Sequence, residues 1–206
     1  MPIAERLYPV GLVVAGRRCV VVGGGAVAAR KAAGLVDAGA DVLVVAPRIC
    51  DEIRGLPVEV AERPYQRSDL AMSWLVISAT DDPEVNRQVH ADGAEARVWV
   101  NAADDPQSCS FTLPAVLRRG PVTVAVATGG HSPALAGWLR DQVADQLGPE
   151  IGRLAELLSE ARDELQAAGR STEGVDWRRA LDSDMLELIR TGRMAQARER
   201  LQACLS

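Results

Sequence analysis

An α/β chain is predicted here, with a parallel sheet wound by helices on both faces followed by a helical carboxyl-terminal part. Three observations predict it. Short continuous apolar runs alternate with helix-like stretches up to about residue 126, as strands buried on both faces should. Only one Phe and two Tyr occur in 206 residues, so the core must be Val, Leu and Ala, which suits helices packed on a parallel sheet. Beyond Gly148-Pro149 the apolar residues step by three and four, the period of helices.

Cys19-Val-Val-Val22 is the first strand, and it runs into Gly23-Gly-Gly-Ala-Val-Ala28 and the helix-like Ala29-Arg-Lys-Ala-Ala-Gly-Leu-Val36. Gly23, Gly25 and Ala28 fit the G-x-G-x-x-G/A fingerprint of a Rossmann-type domain. The first permits a tight turn, the second lets a pyrophosphate approach the backbone, and the third lets helix and strand pack closely. Free N–H groups and the dipole at the helix start would hold the phosphates. Gly23, Gly24, Gly25, Ala26 and Val27 are therefore candidate cofactor-binding residues, although any close strand-to-helix turn also selects small residues.

The second strand, 41–45, ends in Ala46-Pro47-Arg48 with no acidic residue to grip a ribose diol, and Asp41 stands at its other end. Arg48 would suit a 2′-phosphate, so these residues leave NAD and NADP both open. An edge strand at 58–61 comes next, then a buried strand at 73–79 ending in Thr80-Asp-Asp-Pro83. Thr80 joins the cofactor-binding candidates, and Pro83 behind two acidic residues starts a helix reaching about Ala96. Val98-Trp-Val100 then delivers Asn101 to Asp105 at a carboxyl strand end, the edge where open parallel sheets bind ligands.

From Ser110 the pattern changes. Two strands are expected at 110–113 and 122–127, joined through Pro114 to Pro121, and leading into Thr128-Gly-Gly-His-Ser132-Pro133. Ser132 as N-cap and Pro133 at the first position start a helix over 134–147. Ile151, Leu154, Leu158, Ala161, Leu165 and Ala168 share one stripe of a helix ending near Gly169. Trp177, Leu181, Met185 and Leu188 form a second stripe ending before Gly192, and 194–205 a third.

The formal net charge is −5, and Arg17-Arg18, Arg118-Arg119 and Arg178-Arg179 are isolated pairs without neighbouring aromatic platforms, so nucleic acid is not an expected partner. The pairs read as solvated surface. Cys19, Cys50, Cys109 and Cys204 lack C-x-x-C spacing and read as reduced thiols. No apolar signal segment opens the sequence, and no uncharged stretch is long enough to span a bilayer; a cytoplasmic protein without a membrane partner is expected. Two histidines and no clustered thiols argue against a permanent metal site.

Taken together, several motifs resemble the precorrin-2 dehydrogenase family, whose members make sirohydrochlorin and in many cases insert iron to give siroheme. They are Val22-Gly-Gly-Gly-Ala-Val-Ala-Ala-Arg-Lys31, Ala38-Gly-Ala40, Ala46-Pro47, Ala79-Thr-Asp-Asp82, Val85-Asn86, Val100-Asn101, Asp104, Ser110-Phe111, Pro114-Ala115, Ala125-Val126, Thr128-Gly-Gly-His-Ser-Pro133 and Leu139-Arg140. The resemblance implies NAD as cofactor, with the Ala46-Pro47 turn in place of a ribose-gripping carboxylate. It implies precorrin-2 as substrate and a homodimer whose active cleft lies between the cofactor platform and the carboxyl-terminal helices. The implied organisation is a Rossmann domain over 1–112, a two-strand/helix dimerisation and active-site region over 113–147, and a helical domain over 148–206. There is no room for the methyltransferase module fused to some members, so another protein is expected to supply the methylated substrate.

Asp104 matches the aspartate to which the family assigns the central catalytic role. Physically, removing hydride from a reduced tetrapyrrole leaves a cationic macrocycle that must shed a proton, and a carboxylate beside the ring can receive it. Asn101, Ser110, Thr128, Gly129, Gly130, His131 and Ser132 are the implied substrate-binding residues. His131 stands where the family usually has a small or hydroxylic residue and is a candidate transient Fe²⁺ ligand; whether this member inserts iron stays open. The alternative reading is a non-catalytic dinucleotide-sensing module. An ordinary small-substrate dehydrogenase would normally carry an acid–base His or Lys in its carboxyl-terminal half, which here holds no Lys and only His131.

Overall fold

A computed structural model describes residues 7–103, 105 and 108–205. The chain divides into two compact units, Met1–Leu113 with Gly129–His131, and Pro114–Thr128 with Ser132–Ser206.

The first unit is built on five parallel strands: β1 (Arg18–Val22), β2 (Asp41–Val45), β3 (Glu59–Ala61), β4 (Leu75–Ser78) and β5 (Trp99–Ala102), in the order β3-β2-β1-β4-β5. Central β1 pairs on both edges, and its residues 19–22 are buried. Alternation divides them. Cys19 and Val21 face Ala28, Ala29, Ala32 and Leu35 of α1 (Ala26–Asp37) together with Ile53 of α2 (Asp51–Arg54). Val20 and Val22 face Val89 of α3 (Pro83–Ala96), with Tyr65 and Leu70 from the segment before β4. Helices thus cover both faces, as the apolar runs predicted. Two small-residue contacts set the spacing: Ala28 and Ala32 are fully buried under α1, and a Cβ at Gly93 of α3 would lie 2.4 Å from Val100 Cγ2.

The second unit opens with an antiparallel hairpin, β6 (Ala115–Arg119) and β7 (Val122–Val126), followed by α4 (Pro133–Gln146), α5 (Glu150–Ala167), α6 (Trp177–Leu181), α7 (Met185–Arg190) and α8 (Met194–Leu205). Leu154, Leu157, Ala180, Met185, Leu188, Ile189, Ala197 and Leu201 make its core. Buried Glu150, at the start of α5, accepts from Arg190 Nε and Nη2 at 3.0 and 2.8 Å.

Four expectations need correction. No strand forms at 110–113, because Ser110 gives both its N–H and its hydroxyl to Val100; the hairpin starts at Ala115 and turns at Gly120, whose φ of +55° favours glycine. Arg119 is not a solvated surface charge: its Nε and Nη2 donate to the Leu147 and Ala144 carbonyls at the end of α4. Arg17 does have an aromatic platform, since its guanidinium lies 4.2 Å from the Trp74 ring centroid. The stripe from Trp177 to Leu188 is two helices, because Ser183 donates its hydroxyl to Ala180 O at 2.6 Å and accepts from Met185 N. No helix among the described residues is long and apolar enough to cross a membrane.

Candidate active site

The three consecutive glycines after β1 differ in what their surroundings demand. Gly23 has φ +135°, and a Cβ there would sit 2.2 Å from Ala79 O. At Gly24 a Cβ would sit 1.8 Å from Arg48 O. Both are therefore glycine because the chain itself packs against them, and the turn is clamped further by Gly23 N to Val45 O and Cys50 N to Gly24 O. Gly25 is exposed, with nothing within 4 Å of its Cβ position and an ordinary negative φ. Nothing in the fold excludes a side chain there.

Gly25 is also the N-cap of α1, which has no side-chain cap and no acidic residue in its first turn. The first N–H groups of a helix have no intrahelical acceptor, and the dipole makes that end positive. An open approach, free donors and no competing carboxylate fit a dinucleotide pyrophosphate. Exposed Ala26 and Val27 begin that helix.

Ala46 is buried at the end of β2, whereas Pro47 and Arg48 are exposed beside the glycine turn. The Arg48 side chain makes no hydrogen bond or ion pair among the described residues. Thr80 is committed locally: its hydroxyl accepts from Asp82 N at 3.0 Å and its carbonyl from Asn86 Nδ2 at 2.9 Å. Asp82 in turn caps α3 through Glu84 N and Val85 N.

Beyond β5 the chain leaves and returns along itself. Asn101 is buried and donates to Phe111 O at 3.0 Å. Ser110 Oγ accepts from Val100 N at 2.6 Å and donates to Val100 O at 3.2 Å. These two expected substrate ligands therefore spend their side chains on backbone. Two residues that sequence reasoning missed join them. Cys109 Sγ accepts from Ala102 N at 3.2 Å and lies 3.3 Å from Ala102 O, and burial pushes its thiol pKa up, preserving the neutral donor form. His90, from α3, meets Ser108 O through Nδ1 at 2.9 Å. Asp104 lies outside the described residues.

In the segment 128–132, the Thr128 hydroxyl donates to Ser132 O and accepts from Ser132 N, while Ser132 Oγ caps α4 through Leu135 N. Gly129 and Gly130 have φ of +59° and +77°, so backbone conformation requires them. His131 is exposed. Among the described residues no group of three His, Cys, Asp or Glu could hold a metal ion.

The family model described as "Putative NAD(P)-binding" matches residues 10–115, and that described as "Sirohaem biosynthesis protein central" matches 119–146. The chain belongs to the putative NAD(P)-binding family of the first model. The siroheme synthase of Thioalkalivibrio sulfidiphilus is 39% identical over 204 residues, covering 96% of this chain and 42% of that protein. The siroheme synthase of Nitrosospira multiformis is 38% identical over 207 residues, covering 94% and 43%. The chain thus spans about two fifths of the length of these relatives. Among solved structures, SirC, a precorrin-2 dehydrogenase, superimposes with a TM-score of 0.70 at 26% identity, covering 96% of this chain and 98% of that one. The α/β architecture expected from the sequence is the one observed.

Proposed function

We propose that the chain is an NAD-dependent dehydrogenase that converts precorrin-2 to sirohydrochlorin. One observation carries this reading: the likeness to SirC runs through both units and nearly the whole of each chain. A dinucleotide fold alone would not select a chemistry. NAD, when bound, supplies the hydride acceptor. Gly25 and the start of α1 hold its pyrophosphate, and the Ala46-Pro47 turn, lacking a ribose-gripping acid, accepts NAD as in the family.

Asp104 receives the proton that the macrocycle loses on oxidation. Asn101 and Ser110 act by fixing the backbone on either side of it. Thr128 and Ser132 hold the segment that offers the Gly129 and Gly130 backbone and the His131 imidazole to the acidic substrate. Region 113–147 mediates dimerisation: a two-stranded hairpin leaves strand edges for a second copy, and Leu135 and Trp138 are exposed on α4. The four free thiols suit a reducing compartment such as the cytoplasm.

The test is NADH formation from precorrin-2 and NAD. Wild type should produce NADH, and Asp104→Ala should bind NAD normally yet turn over roughly 10² to 10⁴ times more slowly. No NADH from the wild type would favour the sensing module instead, and a near-normal Asp104→Ala rate would remove Asp104 from catalysis. Iron insertion is a further step: His131 is exposed and has no hydrogen-bond or ion-pair partner among the described residues, and imidazole suits Fe²⁺. His131→Ala should then slow siroheme formation from sirohydrochlorin while NADH formation is unchanged; equal loss of both, or of neither, denies it that role.

A further inference from the structure

Dinucleotide folds that select NAD carry a carboxylate after the second strand, where it accepts from the ribose 2′-hydroxyl and repels a 2′-phosphate; an arginine there does the reverse. In this chain β2 ends at Val45 and is followed by buried Ala46 and then by exposed Pro47 and Arg48. The Arg48 backbone is packed on the glycine turn. Its carbonyl oxygen would lie 1.8 Å from a Cβ at Gly24, and Cys50 N–H donates to Gly24 O at 2.8 Å. Two carboxylates of this corner are already engaged: Glu62, just past neighbouring β3, takes Arg54 at 2.8 Å, and Glu52 accepts from its own N–H and from the Cys50 thiol. Arg48, by contrast, has no hydrogen-bond or ion-pair partner among the described residues.

We propose that Arg48 is a specificity-determining residue at the adenosine end of the cofactor site: its guanidinium pairs with the 2′-phosphate of NADP, so that the chain accepts NADP alongside NAD. The proposal rests on the reading of the glycine turn as the pyrophosphate site. A guanidinium presents a planar fork of N–H donors that matches phosphate oxygens, and the backbone contact with Gly24 fixes where that fork starts. Without an acid after β2, the 2′-phosphate meets no repulsion from that position, whereas NAD, which has only a hydroxyl there, gains little from the charge. The 2′ position is remote from the nicotinamide, so the hydride acceptor is the same in both dinucleotides.

The experiment measures binding of NAD and of NADP to the full chain by calorimetry, with no tetrapyrrole present, for wild type, Arg48→Ala, Arg48→Lys and Arg48→Asp. Wild type should bind the two within about threefold of each other. Arg48→Ala should weaken NADP on the order of tenfold and NAD less than about twofold. Arg48→Lys keeps the charge without the fork and should fall between wild type and Arg48→Ala. Arg48→Asp supplies the missing acid and should weaken NADP on the order of 100-fold while NAD is retained. Because the Arg48 side chain is exposed and unbonded, all three variants should unfold near the wild-type temperature. A wild type that binds NADP tenfold or more weaker than NAD, or an Arg48→Ala variant that loses both dinucleotides equally or neither, overturns the proposal. The same proteins are then given precorrin-2. Arg48-dependent NADP binding with no reduced dinucleotide formed refutes the dehydrogenase reading alone; NADH formation in a protein that leaves NADP unused refutes the Arg48 assignment alone.

Discussion

Gly24 and Gly25 are adjacent and identical, yet the fold needs one and tolerates replacement of the other. A methyl group at Gly24 would overlap the Arg48 carbonyl at 1.8 Å, so the glycine turn and the segment after β2 would have to separate. Gly24→Ala should therefore cost about 1–3 kcal/mol or more, the range of overpacked cores, and lower the thermal midpoint. At Gly25 a side chain enters open space, so Gly25→Asp should unfold near the wild-type temperature. Its carboxylate would stand at the phosphate site on the helix N-terminus, and NAD binding should vanish in calorimetry. A stable Gly25→Asp protein that still binds NAD would remove the glycine turn from the cofactor site.

Among the elements, the turn of 3₁₀ helix before β4 (Arg67–Leu70) depends on one carboxylate. Asp69 is buried and takes both Arg63 guanidinium nitrogens, at 2.9 and 2.6 Å, and the Gln66 N–H at 2.9 Å. Burial by itself would raise its pKa, and the Arg63 and Gln66 hydrogen bonds outweigh that, holding it below the ordinary 3.8. A depressed folded pKa means stability that is complete above 3.8 and is lost as pH falls through the folded value. Asp69→Asn should cost about 1.5 kcal/mol at neutral pH, toward the low end because Arg63 is 39% exposed. Urea denaturation should show the gap between variant and wild type closing below 3.8; a gap that persists there would assign the cost to shape and not to charge.

Elements differ in how plainly the sequence announces them. β1 and β2 are legible because apolar runs buried on both faces leave little else for those residues to be, and α1 because Gly23 and Ala28 fit a fingerprint with a steric cause. The misplaced strand at 110–113 shows the limit: Phe and Thr favour extended backbone, but the bonds from Ser110 to Val100 depend on the chain returning across ten residues. His90 and Ser108, eighteen positions apart, carry no local signal of their meeting. The same holds for Cys109, which reads as an unremarkable thiol until Ala102 lies beside it.

For the whole molecule, the decisive expectation is self-association. Hairpin β6–β7 has only two strands, so each strand keeps one edge that a second copy could extend. Leu135 and Trp138, 46% and 57% exposed and three residues apart on α4, add apolar area that a second copy could cover. Sedimentation should give twice the 22.0 kDa chain mass, and Trp138→Glu should shift the protein toward monomer. A wild-type monomer at working concentrations would end this proposal.

Central β1 has a further consequence, for synthesis. Its edge toward β2 can close as soon as residue 45 is available, but its other edge waits for β4, which begins only at Leu75. Until then a growing chain carries Val20, Val21 and Val22 along an unsatisfied row of N–H and C=O groups, the surface on which stray strands pair. Nascent chains stalled before β4 should therefore be the species most prone to aggregate and most in need of a chaperone, and slowing translation ahead of Leu75 should lower the soluble yield of a protein that is stable once complete.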